Sequence, residues 1–315
     1  MKFFPAADME ALGDWEDLTR WLFESHRSAK PQLKDLLLQQ EGNAWFTRTA
    51  WADNGDLGLK SVTVFPSNME RDPPRPSING AFLLFDGTTG ETEAVLDGAA
   101  LTIWKTIGDS VLGARLLARR SSRSLLVVGS GTIASRISTA YLSVFSEIEK
   151  VQIWNRTAEK AEALATKLSN ELSVDVKAVE DLEGAAGEAD IITSATMSVD
   201  PVIYGSWVKP GTHIDLIGAY RVDMREADDE LLRKGRLFVD MRESTIGEIG
   251  ELIIPMQAGV ITESDVLADY YDLAKGELEC RRQSDDEITI FKNGGGAHLD
   301  LMTAKFFFSR SQNVS

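Results

Sequence analysis

Two glycines and an alanine follow a short run of apolar, strand-like residues in segment 125–134, which reads LLVVGSGTIA. The spacing is Gly-x-Gly-x-x-Ala, which is typical of the turn that binds a dinucleotide pyrophosphate between a strand and a helix. We expect Gly129 to allow the tight bend and Gly131 to let the backbone approach the phosphates. Small Ala134 would let the helix pack close to the strand, with its N-terminal N–H groups facing the phosphates.

A second strand pattern, VQIWN at 151–155, follows after one helix of suitable length. The segment therefore has the order strand, turn, helix, strand, which is the structural context that the glycine motif requires. The alternative is a glycine-rich turn without a ligand, and this order of elements disfavours it.

The residues that close the second strand bear on the choice of cofactor. An NAD-preferring site usually has Asp or Glu there, and that carboxylate would repel the 2′-phosphate of NADP. This chain has Asn155, Arg156 and Thr157 instead, whose amide, guanidinium and hydroxyl groups could hold a phosphate. We therefore favour NADP(H), with NAD(H) possible. The alternative is that Arg156 is a solvent-exposed charge at the start of a helix.

Composition restricts the remaining functions. The 315 residues suit two domains, and 49 Asp and Glu against 33 Lys and Arg give a formal net charge of −16, which disfavours nucleic acid as a partner. Cys280 is the only cysteine and the three histidines lack metal-ligand spacing, so we predict neither an intramolecular disulfide nor a metal site. No secretory pattern and no stretch of about 20 apolar residues is present, so we expect a soluble cytoplasmic protein without a membrane partner.

The elements around the glycine motif predict an α/β fold with two domains. Strand patterns at 189–195, 213–218 and 236–240 continue the alternation, with helices at 157–170 and 225–234 and a partly helical return at 247–276. Residues 120–290 are therefore predicted to form the dinucleotide-binding domain, a Rossmann-type doubly wound parallel sheet.

Residues 1–119 with 291–315 are predicted to form a smaller α+β domain for substrate binding and dimerisation. A helical segment is expected at 10–39, strands at 59–65 and 81–86 with a turn at 86–90, and a helix from about 101 to 119. Near the C-terminus, a strand beginning at Ile288 ends in a glycine-rich loop, and an apolar helix follows it.

Several ordered motifs together resemble the ornithine cyclodeaminase/mu-crystallin family, from about Pro31 to Phe308. They are GLKSVTVFP at 58–66, DGTTG at 86–90, LTIWKT at 101–106, the glycine turn and the run 288–300. The resemblance implies an NAD(P)H-linked protein and a homodimer. Members of this family include cyclodeaminases, alanine dehydrogenases, ketimine and pyrroline-2-carboxylate reductases, and a thyroid-hormone-binding crystallin.

The resemblance also assigns residues to the substrate carboxylate. The family lysine of the first β region matches Lys60, whereas Lys105 and Lys34 stand where the family has arginines. A lysine keeps the positive charge but lacks the bidentate fork of a guanidinium. The alternative for each lysine is an exposed surface charge.

Tyr220 stands where the cyclodeaminases carry an aspartate that handles the substrate amine, with Asp215 and Asp223 nearby in the sequence. A neutral phenol offers no charge to that amine, so we expect ornithine to be cyclised inefficiently. The proton for the imine nitrogen could come from Lys60, Tyr220 or water. Further cofactor contacts are expected from Thr106, Thr132, Ile133, Ala195, Thr196, Gly218, Lys292 and Gly294.

The expected function is reduction of a carboxylated imine, of the ketimine or 1-pyrroline-2-carboxylate type, to an amino acid by hydride from NAD(P)H. Two alternatives stay open. One is an amino acid dehydrogenase or ornithine cyclodeaminase, and the other is an NADPH-dependent small-ligand-binding protein of the mu-crystallin type.

Overall fold

The computed structural model describes residues 1–276 and 281–313, so Cys280 lies outside the described residues. The chain forms two compact units, which are residues 1–105 with those from 296 onward (unit 1) and residues 106–295 (unit 2). The sequence placed these boundaries at 119/120 and 290/291. The difference at the first boundary arises because helix α3, Gly98–Leu117, runs through it unbroken. A continuous helix carries no sequence signal of where one unit ends.

Unit 2 is built on an eight-stranded sheet in which every pairing is parallel, with the order β13-β12-β14-β11-β10-β7-β8-β9. This confirms the predicted doubly wound α/β fold. The strands are β7 Ser124–Val128, β8 Lys150–Trp154, β9 Asp175–Ala178, β10 Ile191–Ser194, β11 His213–Leu216, β12 Arg236–Val239, β13 Val266–Ala268 and β14 Thr289–Lys292. The helices are α4 Ala134–Val144, α5 Ala158–Glu171, α6 Leu182–Glu188, α7 Asp229–Lys234, α8 Arg242–Thr245, α9 Gly250–Gln257 and α10 Tyr270–Ala274, with a 3₁₀ turn at Glu263–Asp265.

The apolar run that precedes the glycine motif forms an interior strand of this sheet. Residues 125–128 of β7 are all fully buried, as expected for a parallel strand covered on both faces. From β7 the chain adds β8 and β9 on one side and then returns to place β10 on the other. The carboxyl ends of β7 and β10 therefore form the topological switch point, where α/β sheets bind their ligands.

Two features of unit 2 differ from the sequence prediction. Strand β14 is the last strand of the unit along the sequence, yet in the sheet it lies between β11 and β12. Pairing between distant segments decides this position, and no local pattern indicates it. The helix expected over 225–234 begins only at Asp229, because the Asp228 carboxylate accepts a 2.9 Å hydrogen bond from the Leu231 N–H and caps the helix there.

Unit 1 contains a six-stranded mixed sheet with the order β1-β6-β5-β4-β3-β2, in which only the β1–β6 pair is parallel. The strands are β1 Lys2–Phe4, β2 Gln32–Gln40, β3 Asn43–Trp51, β4 Leu57–Val64, β5 Ile78–Phe85 and β6 Thr92–Asp97. The helices are α1 Ala6–Leu12, α2 Trp15–Ser25, the start of α3 and the C-terminal α11 Ala297–Asn313, with a 3₁₀ turn at Pro66–Glu70.

The helical segment predicted over 10–39 is wrong for its second half. Helices α1 and α2 account for the first part, but residues 32–40 form strand β2. The sequence QLKDLLLQQ consists largely of good helix formers, so local preference favours a helix. The nine residue pairs that β2 makes with β3 override this preference.

Helix α11 closes unit 1 by packing against α2 and against strands β3, β4 and β5. The indole N–H of Trp21 donates a 2.9 Å hydrogen bond to the carbonyl oxygen of Met302, which fixes α11 relative to α2. Within the described ranges, no helix is long and apolar enough to cross a membrane. Over the same residues, no group of three or more His, Cys, Asp or Glu side chains could hold a metal ion.

Candidate functional site

The glycine turn has the geometry that a pyrophosphate requires. Gly129 follows β7 with φ of +123°, and its N–H donates a 2.8 Å hydrogen bond to the carbonyl oxygen of Trp154. A side chain at Gly129 would place its Cβ 2.8 Å from the Ala195 carbonyl oxygen, so this position needs glycine. A Cβ at Gly131 would meet open space, which leaves this stretch of backbone accessible to a ligand. Ala134 is fully buried where α4 begins.

The cavity beside this turn measures about 530 Å³, within the range of roughly 300–1,000 Å³ that is usual for small-molecule sites. Its lining includes seven of the predicted cofactor residues: Gly129, Gly131, Asn155, Arg156, Thr157, Ala195 and Thr196. Lys160 also lines the cavity, and the sequence analysis missed it. Arg156 lies just before helix α5 and Lys160 in its first turn, so both cations line the cavity near the start of this helix. Among the described residues that line it, none is acidic.

The other predicted cofactor residues lie elsewhere in unit 2. Thr132 is exposed and Ile133 is half-buried at the start of α4. The carbonyl oxygen of Thr106 accepts a 3.0 Å hydrogen bond from the Asn293 amide. At Gly294, a Cβ would lie 2.1 Å from the Thr245 hydroxyl oxygen, so close packing explains this glycine. Their roles toward the cofactor stay predictions.

Glu226 connects the loops that follow β10 and β11, and sequence reasoning missed it. One carboxylate oxygen accepts hydrogen bonds from the Ser194 hydroxyl at 2.6 Å and from the Thr196 N–H and hydroxyl at 2.8 and 2.7 Å. The other oxygen accepts from the Gly218 N–H at 2.5 Å. Thr196 and Gly218 are both predicted cofactor residues, so this buried carboxylate fixes their backbone.

Glu251 in turn holds the backbone of Glu226. Its two carboxylate oxygens accept from the N–H groups of Glu226 at 2.7 Å and Ala227 at 3.0 Å. Burial raises the pKa of Glu251 to about 7, and the neighbouring charge of Glu226 acts in the same direction.

Lys292 lies among these carboxylates and is fully buried. Its ammonium group donates a 2.8 Å hydrogen bond to the carbonyl oxygen of Leu216. Burial lowers the pKa of Lys292, and the negative charges nearby oppose that shift; they belong to Glu226, Glu251, Asp215 and Asp240. The ammonium therefore has protein partners in this structure, and its predicted contact with the cofactor stays a prediction.

Unit 1 contains a group of charges in which cations outnumber carboxylates, whereas carboxylates outnumber cations around Lys292 in unit 2. Lys60 on β4 donates a 2.9 Å hydrogen bond to one carboxylate oxygen of Asp300, which lies in the first turn of α11. Lys60 is 6% exposed, Lys105 is 4% exposed and Asp300 is 1% exposed. Burial by itself would raise the pKa of Asp300, but the charges of Lys60, Lys105 and Arg48 outweigh it and the pKa is lowered.

The strand register explains why Arg48, which the sequence analysis missed, belongs to this group. Arg48 on β3 pairs with Lys60 on β4 and with Asp35 on β2, so the three side chains share one face of the sheet. The guanidinium of Arg48 lies 2.8 Å from the Asp35 carboxylate. Lys34 precedes Asp35 along β2 and therefore lies on the opposite face, where it is exposed. The register thus separates Lys34 from Lys60.

Tyr220, the other predicted catalytic residue, follows β11 in unit 2. Its side chain is 57% exposed, and the guanidinium of Arg221 lies 5.8 Å from the centre of its ring. Arg221 is paired in turn with Asp223, at 2.8 Å. A role for Tyr220 as proton donor stays a prediction.

We call Lys60, Lys105, Arg48 and Asp300 the cationic cluster. Three positive groups act on the Asp300 carboxylate, and Asp35 also pairs with Arg48, so three cations face two carboxylates and leave a positive charge that an anion could neutralise. A buried surplus of this kind is costly unless a ligand or solvent compensates it, and a carboxylate is the small anion that ammonium and guanidinium groups bind well. The resemblance indicated Lys60 and Lys105 but not Arg48 or Asp300, since Lys60 and Asp300 are 240 residues apart.

A parallel α/β sheet with a glycine turn at its switch point, accompanied by a mixed-sheet unit with a buried cationic cluster, defines a dinucleotide-binding protein that also has a site suited to an anion. The residues around Gly131 and the adjacent cavity fit a nicotinamide dinucleotide. The chain belongs to the ornithine cyclodeaminase/mu-crystallin family, whose model matches residues 30–314. The resemblance stated from the sequence is therefore confirmed.

Individual proteins of this family are similar over almost the whole chain. The Δ1-pyrroline-2-carboxylate reductase of Paracoccus denitrificans is 46% identical over 305 residues, 97% of this chain and 95% of that protein. The structure of Thermococcus litoralis Δ1-pyrroline-2-carboxylate reductase with NADH and L-proline has a TM-score of 0.90 at 29% identity, covering 99% of this chain and 98% of that one. An archaeal alanine dehydrogenase dimer with bound NAD has a TM-score of 0.89 at 28% identity, covering 99% and 96%.

Proposed function

We propose that this chain is an NAD(P)H-dependent reductase of carboxylated imines of the ketimine or 1-pyrroline-2-carboxylate type. The observation that carries the proposal is the positive charge of buried Lys60 and Lys105 and half-buried Arg48 in a chain that also has a dinucleotide turn. When bound, the reduced nicotinamide supplies a hydride. Similarity to the Paracoccus and Thermococcus reductases supports the same substrate class.

The chain itself has to bind and orient the imine. Lys60 and Lys105 are almost fully buried, so their charges act on a bound carboxylate with little screening by solvent. Arg48 adds a guanidinium, which can hold a carboxylate through two parallel hydrogen bonds. Anchoring the carboxylate restricts the position of the neighbouring imine carbon, and such restriction is worth several kcal/mol to a reaction between two bound molecules.

A panel of substrates tests the reaction class. Purified protein with NADPH or NADH is given 1-pyrroline-2-carboxylate, its six-membered homologue, pyruvate with ammonia, or no substrate, and oxidation of the cofactor is followed by absorbance. We expect the two cyclic imines to be reduced fastest, with proline formed from the first. Rapid turnover only with pyruvate and ammonia would indicate an amino acid dehydrogenase. Ligand-dependent fluorescence of NADPH without oxidation would indicate a binding protein.

Ornithine with oxidised cofactor tests the cyclodeaminase alternative. We expect little proline and ammonia from ornithine, because Tyr220 offers no full negative charge to the second amine. Formation of proline at a rate that rivals imine reduction would contradict the proposal.

We further propose that NADP(H) is preferred over NAD(H). Arg156 and Lys160 line the cavity beside the glycine turn together with Asn155 and Thr157, and these four side chains suit a 2′-phosphate. Arg156→Ala should weaken NADPH binding by about 1–3 kcal/mol and leave NADH binding nearly unchanged. Lys167→Ala, on the same helix α5 but paired with Glu171, is the matched control. Equal losses for both cofactors would contradict this preference.

We also propose that the protein is a homodimer. Strands β2 and β3 at the edge of the sheet expose Leu36, Leu37, Leu38 and Trp45, with exposed fractions of 48 to 54%. An edge strand with such an apolar surface favours pairing with another chain. Light scattering of the purified protein tests this proposal, and a monomer at micromolar concentration would contradict it.

A further inference from the structure

We infer that the second carboxylate oxygen of Asp300 accepts a hydrogen bond from the nitrogen of the bound substrate, so that the protonated imine is the form that binds. This inference rests on the proposed function and adds a partner for the substrate nitrogen. The Asp300 carboxylate would supply the negative charge that the neutral phenol of Tyr220 does not offer.

The first observation is the bonding of Asp300 itself. One carboxylate oxygen accepts the hydrogen bond from Lys60, whereas the other, Oδ2, is buried and has no hydrogen-bond partner among the described residues. A buried carboxylate oxygen without a donor is costly, because it has lost its water and gained nothing in exchange. A ligand with an N–H group would supply the missing donor.

The second observation is the arrangement of charge around Asp300. Its carboxylate is the negative centre of a group that contains Lys60, Lys105 and Arg48, and Arg48 also pairs with Asp35. A protonated α-imino acid has the complementary arrangement, since its carboxylate and its positive nitrogen are attached to the same carbon. The carboxylate suits the three cations, and the N–H⁺ suits the one buried anion. A simple carboxylic acid would use only the cations.

The two observations lead to a defined role in the reaction. Asp300 stays ionised in this surrounding, so it accepts a hydrogen bond from the iminium N–H⁺ and raises the fraction of imine that is protonated when bound. Hydride from the reduced nicotinamide forms the new C–H bond at the imine carbon, and the C=N π pair becomes the lone pair of the amine. The nicotinamide is oxidised, and the product amine takes a proton from solvent.

A pair of ligands isolates this hydrogen bond from the binding of the carboxylate. Proline has a ring ammonium group, whereas tetrahydrofuran-2-carboxylate has the same ring size and carboxylate with an oxygen in place of the nitrogen. Their dissociation constants are measured by calorimetry with oxidised cofactor present. We expect the wild-type protein to bind proline more tightly by about tenfold or more, the usual worth of a hydrogen bond to a charged group. Equal affinity would overturn the inference without any variant.

Three variants assign the difference to Asp300. Asp300→Asn should reduce the preference for proline to about twofold or less, because an amide oxygen offers no charge to the ammonium. Lys60→Ala should weaken both ligands by a similar factor and keep the preference, because both ligands carry the carboxylate. Asp56→Asn removes another aspartate of unit 1, one that pairs with Lys305 at 2.7 Å, and should change neither constant. A preference for proline that survives in Asp300→Asn would mean that only a water molecule fills the position beside Oδ2.

The pH dependence of imine reduction gives a second readout that a purely structural role would not move. Above the pKa of the bound imine, kcat at saturating imine should fall as the bound nitrogen loses its proton. Asp300→Asn should move this falling limb to lower pH by about one unit, because the carboxylate no longer stabilises the cation. An unshifted limb would contradict the inference.

The outcomes separate this inference from the proposed function. If the wild-type protein does not reduce cyclic imines, the proposed function fails, and the ligand pair still reports on Asp300. If imines are reduced but the preference for proline does not depend on Asp300, the inference alone fails.

Discussion

Each unit of this protein buries a group of charged side chains, and the two groups have opposite compositions. In unit 1, three cations surround the single carboxylate of Asp300. In unit 2, four carboxylates surround the single ammonium group of Lys292. Two of the carboxylates of unit 2, Glu226 and Glu251, accept hydrogen bonds from backbone N–H groups, such as those of Thr196 and Gly218 on Glu226. In the cationic cluster, the Asp300 carboxylate lies under the influence of three cations, of which Arg48 also pairs with Asp35.

This difference indicates two separate roles for buried charge in the two units. A group whose hydrogen bonds are completed by backbone N–H groups fixes loops, whereas a group with surplus charge and an unused carboxylate oxygen is prepared for a ligand. We therefore expect changes in unit 1 to affect the substrate and changes in unit 2 to affect the cofactor or the stability of the fold. The following variants test whether the two groups have these separate roles.

The largest effect is expected for Lys60→Ala. It removes one cation of the proposed carboxylate site, and a lost hydrogen bond to a charged group costs about 1.5–3 kcal/mol. We expect kcat/KM for a carboxylated imine to fall by roughly a hundredfold, while the dissociation constant of NADPH, measured by fluorescence, stays nearly unchanged.

Two further variants complete this test. Lys305→Ala removes another partly buried lysine of unit 1 that pairs with Asp56, and it should leave kcat/KM close to that of the wild type. Lys60→Arg keeps the charge and should retain more activity than Lys60→Ala. A loss of cofactor affinity in Lys60→Ala with unchanged substrate affinity would reverse the roles of the two groups.

The two groups also differ in how much of them the sequence could predict. The glycine turn and the flanking strands β7 and β8 follow from local patterns, so the sequence alone predicts this candidate cofactor site. Arg48 was missed because strand β3 was not predicted, and its approach to Lys60 depends on the register of two strands. Asp300 in the first turn of a helix looks like an ordinary helix-stabilising residue. Contacts between distant segments leave no local pattern.

The next largest effect concerns stability in unit 2. The pKa of Glu251 is about 7 in the folded chain against an ordinary value of 4.5. Between these two values the unfolded chain has lost the proton and the folded chain retains it, so the free energy of unfolding falls as the pH rises through this window and levels off above about pH 7. In Glu251→Gln, the decrease in the free energy of unfolding over this pH window should be smaller by up to roughly 3 kcal/mol.

Denaturant unfolding at a series of pH values measures this effect. Glu248→Gln, an exposed glutamate of the same segment, is the matched control and should leave the profile unchanged. If Glu251→Gln keeps the wild-type slope between pH 4.5 and 7, burial does not hold the proton on Glu251.

A smaller effect is expected for Glu226→Gln. The amide keeps the shape of the side chain, but its NH₂ group cannot accept the bonds that one of the carboxylate oxygens now accepts. We expect the dissociation constant of NADPH to rise by about tenfold, through misplacement of Thr196 or Gly218. Proline binding in the presence of saturating cofactor should change by less than about threefold. A selective loss of proline binding would assign Glu226 to the substrate.

We propose above all that the cationic cluster binds the carboxylate of an imine, which the bound cofactor then reduces. The most direct test compares kcat/KM for 1-pyrroline-2-carboxylate with that for 1-pyrroline, which lacks the carboxylate, in the wild-type protein and in Lys60→Ala. We predict that the wild type prefers the carboxylated imine by roughly a thousandfold and that Lys60→Ala removes most of that preference. Equal rates for the two imines in the wild type, or a preference that Lys60→Ala leaves intact, would contradict the account.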